Sequence, residues 1–170
     1  MPENLEGYKY KGEDVVYLIE IDDELGEGKL IRPFDQTGGS HSIQADEMEV
    51  STKDRQGTDY GDVTETRSFE GEIVYDDPFI PAMKKFIRNK KFAKIYEVDL
   101  ITNKAEYGMY MITSFDREYG HGDFATYSVE ANLFGSVCET ELTEIPEGAP
   151  GIAGIDCDGN EENEGGTVEG

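Results

Sequence analysis

Residues 41–91 constrain the fold most. They read HSIQADEMEVSTKDRQGTDYGDVTETRSFEGEIVYDDPFIPAMKKFIRNKK. Two strand signals flank a polar segment, and one short helix follows. The second strand signal, residues 67–75, alternates cleanly. Phe69, Gly71, Ile73 and Tyr75 share one face; Ser68, Glu70 and Glu72 share the other. Period-two alternation marks a strand with one buried and one wet side. The first signal, residues 42–51, changes parity, with Ile43 and Ala45 on one and Met48 and Val50 on the other. A bulge or bend near Asp46 reconciles the two. Residues 52–66, TKDRQGTDYGDVTET, have no apolar period. They read as a long loop, where hairpin loops usually take about two to five residues. Such segments are either surface excursions or functional. The functional reading is an arm that orders against a neighbouring subunit, with Lys53, Asp54, Arg55, Asp59, Tyr60 and Asp62 as contact candidates.

The helix follows at once. Asp76 or Asp77 can cap it and Pro78 suits its first turn. Phe79, Ile80, Met83, Phe86 and Ile87 fall on one stripe at helical spacing. Lys84, Lys85, Arg88, Lys90 and Lys91 lie on the other side or at the C-terminal end, where cations complement the helix dipole. Asn89 is the expected stop.

The rest of the chain adds strands. Residues 14–21, DVVYLIEI, form an unbroken apolar run, as in a strand covered on both faces. Residues 22–28 read as a turn, 29–34 as a short strand that Pro33 ends at an edge, and 36–40 as a flexible turn. Residues 92–102 place Tyr96, Val98 and Leu100 on one face. Asn103 and Lys104 suit a tight hairpin turn. Residues 105–115 return with Tyr107, Met109, Met111 and Phe115 on one parity and Tyr110 and Ile112 on the other, so both faces should be covered. A Gly-containing loop at 116–123 precedes residues 124–134, whose Ala125, Tyr127, Val129, Ala131 and Leu133 point inward. The fold class is mainly β, a sandwich or barrel with one flanking helix and a long loop. The expected organisation is an N-terminal arm at 1–13, one domain at 14–145, and an acidic Gly-rich tail at 146–170 that lacks a core-forming pattern.

Charge narrows the function. The net charge is −23. Setting aside the seven acids of residues 146–170 leaves 31 acids against 15 bases, a net −16. Such a body repels phosphate and cannot bind nucleic acid by counterion release. It can still serve as a conduit, because a repulsive wall lets DNA slide without adhering. On the two strands of the opening stretch, Glu47 and Glu49 share one parity and Glu70 and Glu72 another. If these faces point the same way they form a row of carboxylates, either a channel wall or an outer solvent-exposed face. The basic cluster at 84–94 is the one local reversal of charge. It reads as a complement for an acidic patch on another copy of the chain, in a head-to-tail contact that closes a ring, or as a solvated helix face.

Catalytic signatures are absent from the sequence. Neither His41 nor His121 has a second histidine at metal spacing, and no C-x-x-C or G-x-S-x-G occurs. The Gly-rich stretches TGGS and YGHG lack the lysine and flanking elements of a phosphate loop. Asp156, Asp158 and Asn160 begin a calcium-loop pattern that fails at Glu161 and Thr167. Cys138 and Cys157 are too few for a disulfide scaffold and read as two unpaired thiols. No stretch is long and apolar enough for a membrane span, and the N-terminus MPENLEGYKYKGED has no signal-peptide core. The expectation is a non-enzyme without cofactor or metal, working first in a cytoplasm.

The order and spacing of SHSIQADEMEVSTKD, the polar segment, SFEGEIVYDDPF with its helix, and ATYSVEANLFGSV resemble a major tail protein, the tail-tube subunit of long non-contractile-tailed phages. The resemblance spans residues 15–145. It implies a β-sandwich with one flanking helix, assembled as stacked hexameric rings around a DNA channel. It also implies partners: further copies of the chain, a tape-measure protein, a tail chaperone, and tail-tip and tail-terminator proteins, with double-stranded DNA in transit. Three other readings stay open on residues alone: a monomeric β-barrel or sandwich with a small-ligand pocket, an acidic calcium-binding surface module, and a minor tail-completion protein on the same fold.

Overall fold

The computed structural model describes residues 5–22, 28–143 and 145. Among these residues a 3-10 turn at Gly12–Asp14 precedes seven strands and one α-helix in the order β1 (Val15–Asp22), β2 (Gly28–Ile31), β3 (Gln36–Ser51), β4 (Gln56–Glu72), α1 (Phe79–Arg88), β5 (Ala93–Asp99), β6 (Lys104–Glu118) and β7 (Thr126–Glu141). All pairings are antiparallel, in the order β2-β1-β5-β6-β7-β4-β3.

The single sheet curls until β1 faces β3 and β4. Tyr17 of β1 stacks on Phe69 of β4 with centroids 5.2 Å apart and rings 11° from parallel. The Tyr17 N–H donates to Gln36 Oε1 (2.9 Å), and Gln36 Nε2 donates back to the Tyr17 carbonyl (2.7 Å). This closure needs Gly39: a Cβ there would lie 2.2 Å from Tyr17 Cε2. The enclosed core holds Phe69, Phe79, Met83, Tyr110, Tyr127 and their neighbours. Helix α1 plugs one end with Phe79 and Met83, both fully buried. Asp77 fixes that plug, accepting from the N–H of Phe79 and the N–H of Phe34, each at 3.0 Å. Burial raises the Asp77 pKa against these two hydrogen bonds. Asn89 ends the helix, as expected.

The apolar run of β1 is covered on both faces. Tyr17 and Ile19 join the enclosed core, while Val16 and Leu18 join a second cluster with Tyr96, Val98, Tyr107 and Leu142. Cys138 lies in that second cluster and is disulfide-bonded, which corrects the expectation of a free thiol there. Cys157, residues 146–170 with the calcium-like acids, and most of the turn expected at 22–28 lie outside the described residues. The N-terminal segment is tied down from Tyr8 onward: the Tyr8 hydroxyl donates to Asp14 (3.0 Å) and the Tyr10 hydroxyl to Asp99 (2.8 Å).

Three local expectations change. Residues 36–40 are not a turn but the start of β3. Tyr75 is not inward but 96 % exposed, because β4 ends at Glu72 and the chain turns toward the helix. Met109 and Met111 are exposed, so the outer face of β6 is uncovered there.

The largest correction concerns residues 52–66. They are not a long loop. A four-residue turn, residues 52–55, is closed by Thr52 N–H donating to the Arg55 carbonyl (2.7 Å), and β4 already begins at Gln56. The polar segment therefore forms the turn and the returning half of a hairpin. Its backbone is paired with β3 from Ser51↔Gln56 to Ala45↔Val63 and on into the sheet. A bulge interrupts this ladder opposite Asp46, but not in β3, where the sequence expected one. Asp46 faces both Gly61 and Asp62, so the extra residue belongs to β4.

Candidate functional site

Two features stand out once the register is known: a hairpin that leaves the sheet and a wet face on the sheet itself.

Strand β4 pairs with β7 only over Thr66–Glu72. Beyond that point the β3–β4 ribbon has no third strand. Residues 43–51 of β3 run against residues 56–65 of β4, nine against ten, and at a rise of about 3.3 Å give an arm of about 30 Å. Its tip carries Lys53, Asp54 and Arg55, and its return strand carries Asp59, Tyr60 and Asp62. The ladder fixes which side chains share a face. Ile43, Ala45, Glu47 and Glu49 stand opposite Glu65, Val63, Tyr60 and Thr58. This face is apolar and acidic. Ile43 and Val63 are each 63 % exposed and Tyr60 is 79 % exposed. A two-stranded ribbon is marginal in water by itself, and one with bare apolar residues is suited to being covered.

At the root of the arm sits a charged cluster that the sequence reading missed. Arg67 is fully buried. Its Nε donates to the Tyr110 hydroxyl (2.6 Å), its Nη1 to Glu97, and its Nη2 to Glu106 (2.9 Å), with Glu65 at 3.6 Å. His41 Nε2 lies 2.6 Å from Glu65 Oε1, and the Tyr17 hydroxyl donates to Glu97 (3.0 Å). Burial disfavours the Arg67 charge, but Tyr110, Glu97 and Glu106 outweigh it and push the guanidinium pKa up. The cluster joins β1, β3, β4, β5 and β6 where the arm departs. Its only signal in the sequence was parity, since Arg67 shares the inward parity of Phe69. His41, Glu97 and Glu106 could approach a metal ion together, but Arg67 already bridges Glu97 and Glu106 as their cation. His121 lies in the exposed loop after β6.

The second feature is the outer face of β6, β7, β4 and β3. Its rows follow from the pairing. Glu118, Thr126 and Glu72 form one, Asp116, Ser128, Glu70 and Gly38 the next, and Ser114, Glu130, Ser68 and Ser40 a third. Met111, Asn132, Thr66 and Ser42 follow, with Thr66 Oγ1 donating to Asn132 Oδ1 (2.9 Å). Five carboxylates stand in these rows with no lysine or arginine. Glu70 and Glu72 therefore do share a wet acidic face, and Asp116, Glu118 and Glu130 join them from strands distant in sequence. Glu47 and Glu49 do not. They sit on the opposite face of the β3–β4 ladder, with Ile43 and Arg67. The single row of four expected from sequence is thus two separate pairs.

The basic residues collect elsewhere. Lys84, Lys85 and Arg88 lie on α1, and Lys90 and Lys91 just beyond it. Among the described residues none of these five forms an ion pair. Beside them, Phe92 stacks on Phe134 (4.8 Å), which stands opposite Met109 in the β6–β7 ladder.

This fold has counterparts among solved structures. A chain of the SPP1 tail tube superposes with a TM-score of 0.64 at 18 % identity, covering 82 % of each chain. A chain of the native gene transfer agent virion gives 0.62 at 16 % identity, covering 78 % of this chain and 99 % of that one. A chain of the sheath–tube complex of an extracellular contractile injection system gives 0.56 at 12 %, covering 80 % and 94 %. No curated protein sequence matches the chain. The family model for phage tail tube proteins matches residues 9–139, and the chain belongs to that family. It is a structural tail-tube component of phage-like particles, in agreement with the resemblance read from its sequence.

Proposed function

We propose that this protein polymerises as stacked hexameric rings into a tail tube, with the acidic outer face of β6, β7, β4 and β3 as the wall of a channel for double-stranded DNA. The observation that carries the reading is the composition of that face. It has five carboxylates among serine, threonine and asparagine, no cation, and a packed core behind it. Duplex DNA carries a negative charge about every 1.7 Å along its axis. A wall of Glu70, Glu72, Asp116, Glu118 and Glu130 repels it at every step and offers no counterion-releasing grip. The six-fold symmetry named for the gene transfer agent tail supports six subunits per ring. The β3–β4 arm and the basic helix supply contacts between copies. The family resemblance adds a tape-measure protein, a tail chaperone, and tail-tip and terminator proteins as partners, with assembly in the host cytoplasm. A small-ligand binder would need an inward apolar pocket, whereas Phe69, Phe79, Tyr110 and Tyr127 fill the interior.

The test is negative-stain electron microscopy of the purified chain at raised concentration, alone and with tail-tip components. Tubes or stacked rings of constant width are the expected result. A monodisperse monomer under both conditions overturns the proposal.

A further inference from the structure

Resting on the self-assembly reading above, we infer that the arm and the helix are the two halves of one contact: the apolar, acidic face of the β3–β4 arm docks on the basic, apolar patch at the C-terminal end of α1 in a second copy of the chain. Each half is incomplete in a way the other answers. The arm face presents Ile43, Val63 and Tyr60, all more than 60 % exposed, beside Glu47 and Glu49. Neither glutamate forms an ion pair among the described residues. The patch presents Phe92, Phe134 and Met109, exposed by 41 %, 64 % and 41 %, with Phe92 stacked on Phe134 and following directly in the chain on Lys91, which with Lys85 and Arg88 forms no ion pair among the described residues.

In a chain of net charge −23, this patch is the one concentration of positive charge. Apolar area on both sides supplies the non-directional part of the contact, and the opposed charges set its register and exclude like-on-like docking. The patch lies on the body, and the arm projects from the sheet's free edge, so the contact is heterologous, as ring closure or stacking requires. The inference also gives Glu47 and Glu49 a role away from the wall, in keeping with their place on the opposite face of the ladder.

The test is a charge swap read by electron microscopy and by the concentration at which sedimentable tubes appear. One variant carries Lys85→Glu, Arg88→Glu and Lys91→Glu. A second carries Glu47→Lys and Glu49→Lys, and a third carries all five changes. All substituted side chains are exposed, and circular dichroism melts check that each variant folds. Each partial variant should raise the assembly concentration by about tenfold or more, since like charges then face each other. The five-fold variant, and a 1:1 mixture of the two partial variants, should return to within about threefold of the unaltered chain. Partial variants that assemble like the unaltered chain overturn the inference and leave the self-assembly reading standing. So does impaired assembly that neither the combined variant nor the mixture restores. Failure of the unaltered chain to assemble, both alone and with tail-tip components, removes the self-assembly reading itself.

Discussion

Replacing Arg67 with alanine tests the reading of the arm's root directly. The guanidinium is fully buried and holds the Tyr110 hydroxyl, Glu97 and Glu106, with Glu65 close by. Removing it leaves three carboxylates facing each other and strands a buried tyrosine hydroxyl. Hydrogen bonds to charged groups are worth about 1.5–3 kcal/mol each. The Glu106 bond counts for little, because that side chain is 44 % exposed and water screens it. Two strong bonds remain, to Tyr110 and Glu97, together with the desolvation of the abandoned carboxylates. Breaking a buried pair from one side costs about 3–5 kcal/mol. At about 3 °C per kcal/mol for a domain of this size, Tm should fall by roughly 9–15 °C. The assay is urea and thermal unfolding followed by far-ultraviolet circular dichroism, at concentrations where the chain is monomeric. Tyr110→Phe removes a single partner and should cost about 1.5–3 kcal/mol. An Arg67→Ala protein within about 1 kcal/mol of the unaltered one would sink this account of the cluster, because it would mean that the carboxylates find water or other partners at no cost.

Three further outcomes follow from the same geometry. Phe79→Ala should destabilise by about 3–5 kcal/mol, since its ring is fully buried between Phe69, Phe115 and Tyr127; a loss under about 1 kcal/mol in urea unfolding would mean that the helix does not plug the sheet. Burial pushes the Asp99 pKa up, but the Tyr10 hydroxyl, the Ile101 and Thr102 N–H groups and the Thr102 hydroxyl outweigh it and hold it below the ordinary value. Its stabilisation is thus present above the ordinary carboxylate range and lost as pH falls through the folded-state value. Carboxyl NMR titration should show the Asp99 pKa rising in Tyr10→Phe, and no movement would count against that hydrogen bond. Finally, tubes carrying Glu70→Lys, Asp116→Lys and Glu130→Lys should retain duplex DNA with an affinity that falls steeply with salt. Unaltered tubes should retain none, and equal retention by both would displace the wall from this face.

Several elements were legible in the sequence because local pattern determines them. The helix from Phe79 to Arg88, with Asp77 capping and Asn89 stopping it, follows from side chains that act within one or two turns. The strand face of Phe69 against Ser68 and Glu70, and the inward Tyr127, Val129 and Ala131, follow from period two. The change of parity between Ala45 and Met48 marked the place of a bulge but not its strand: β3 keeps its alternation past Asp46, so Met48 and Val50 face away from Ile43 and Ala45, and the extra residue lies in β4. Residues 52–66 misled for a physical reason. A ribbon covered by nothing in its own subunit needs no apolar alternation, so its backbone pairing leaves no trace in its side chains.

Legible along the chain, then, was whatever depends on near neighbours: the helix, the strands that carry an apolar period, the inward and outward parity of most of them, and the acidity that excludes a nucleic-acid grip. Whatever depends on register between distant strands came from the folded sheet alone. It set Glu70 and Glu72 beside Asp116, Glu118 and Glu130 and turned Glu47 and Glu49 to the other face. It also buried Arg67 among Glu97, Glu106 and Tyr110. A one-residue change of register reverses every face in a ladder, and the closing contacts that set it, Tyr17 on Phe69 across Gly39 above all, join residues more than fifty positions apart.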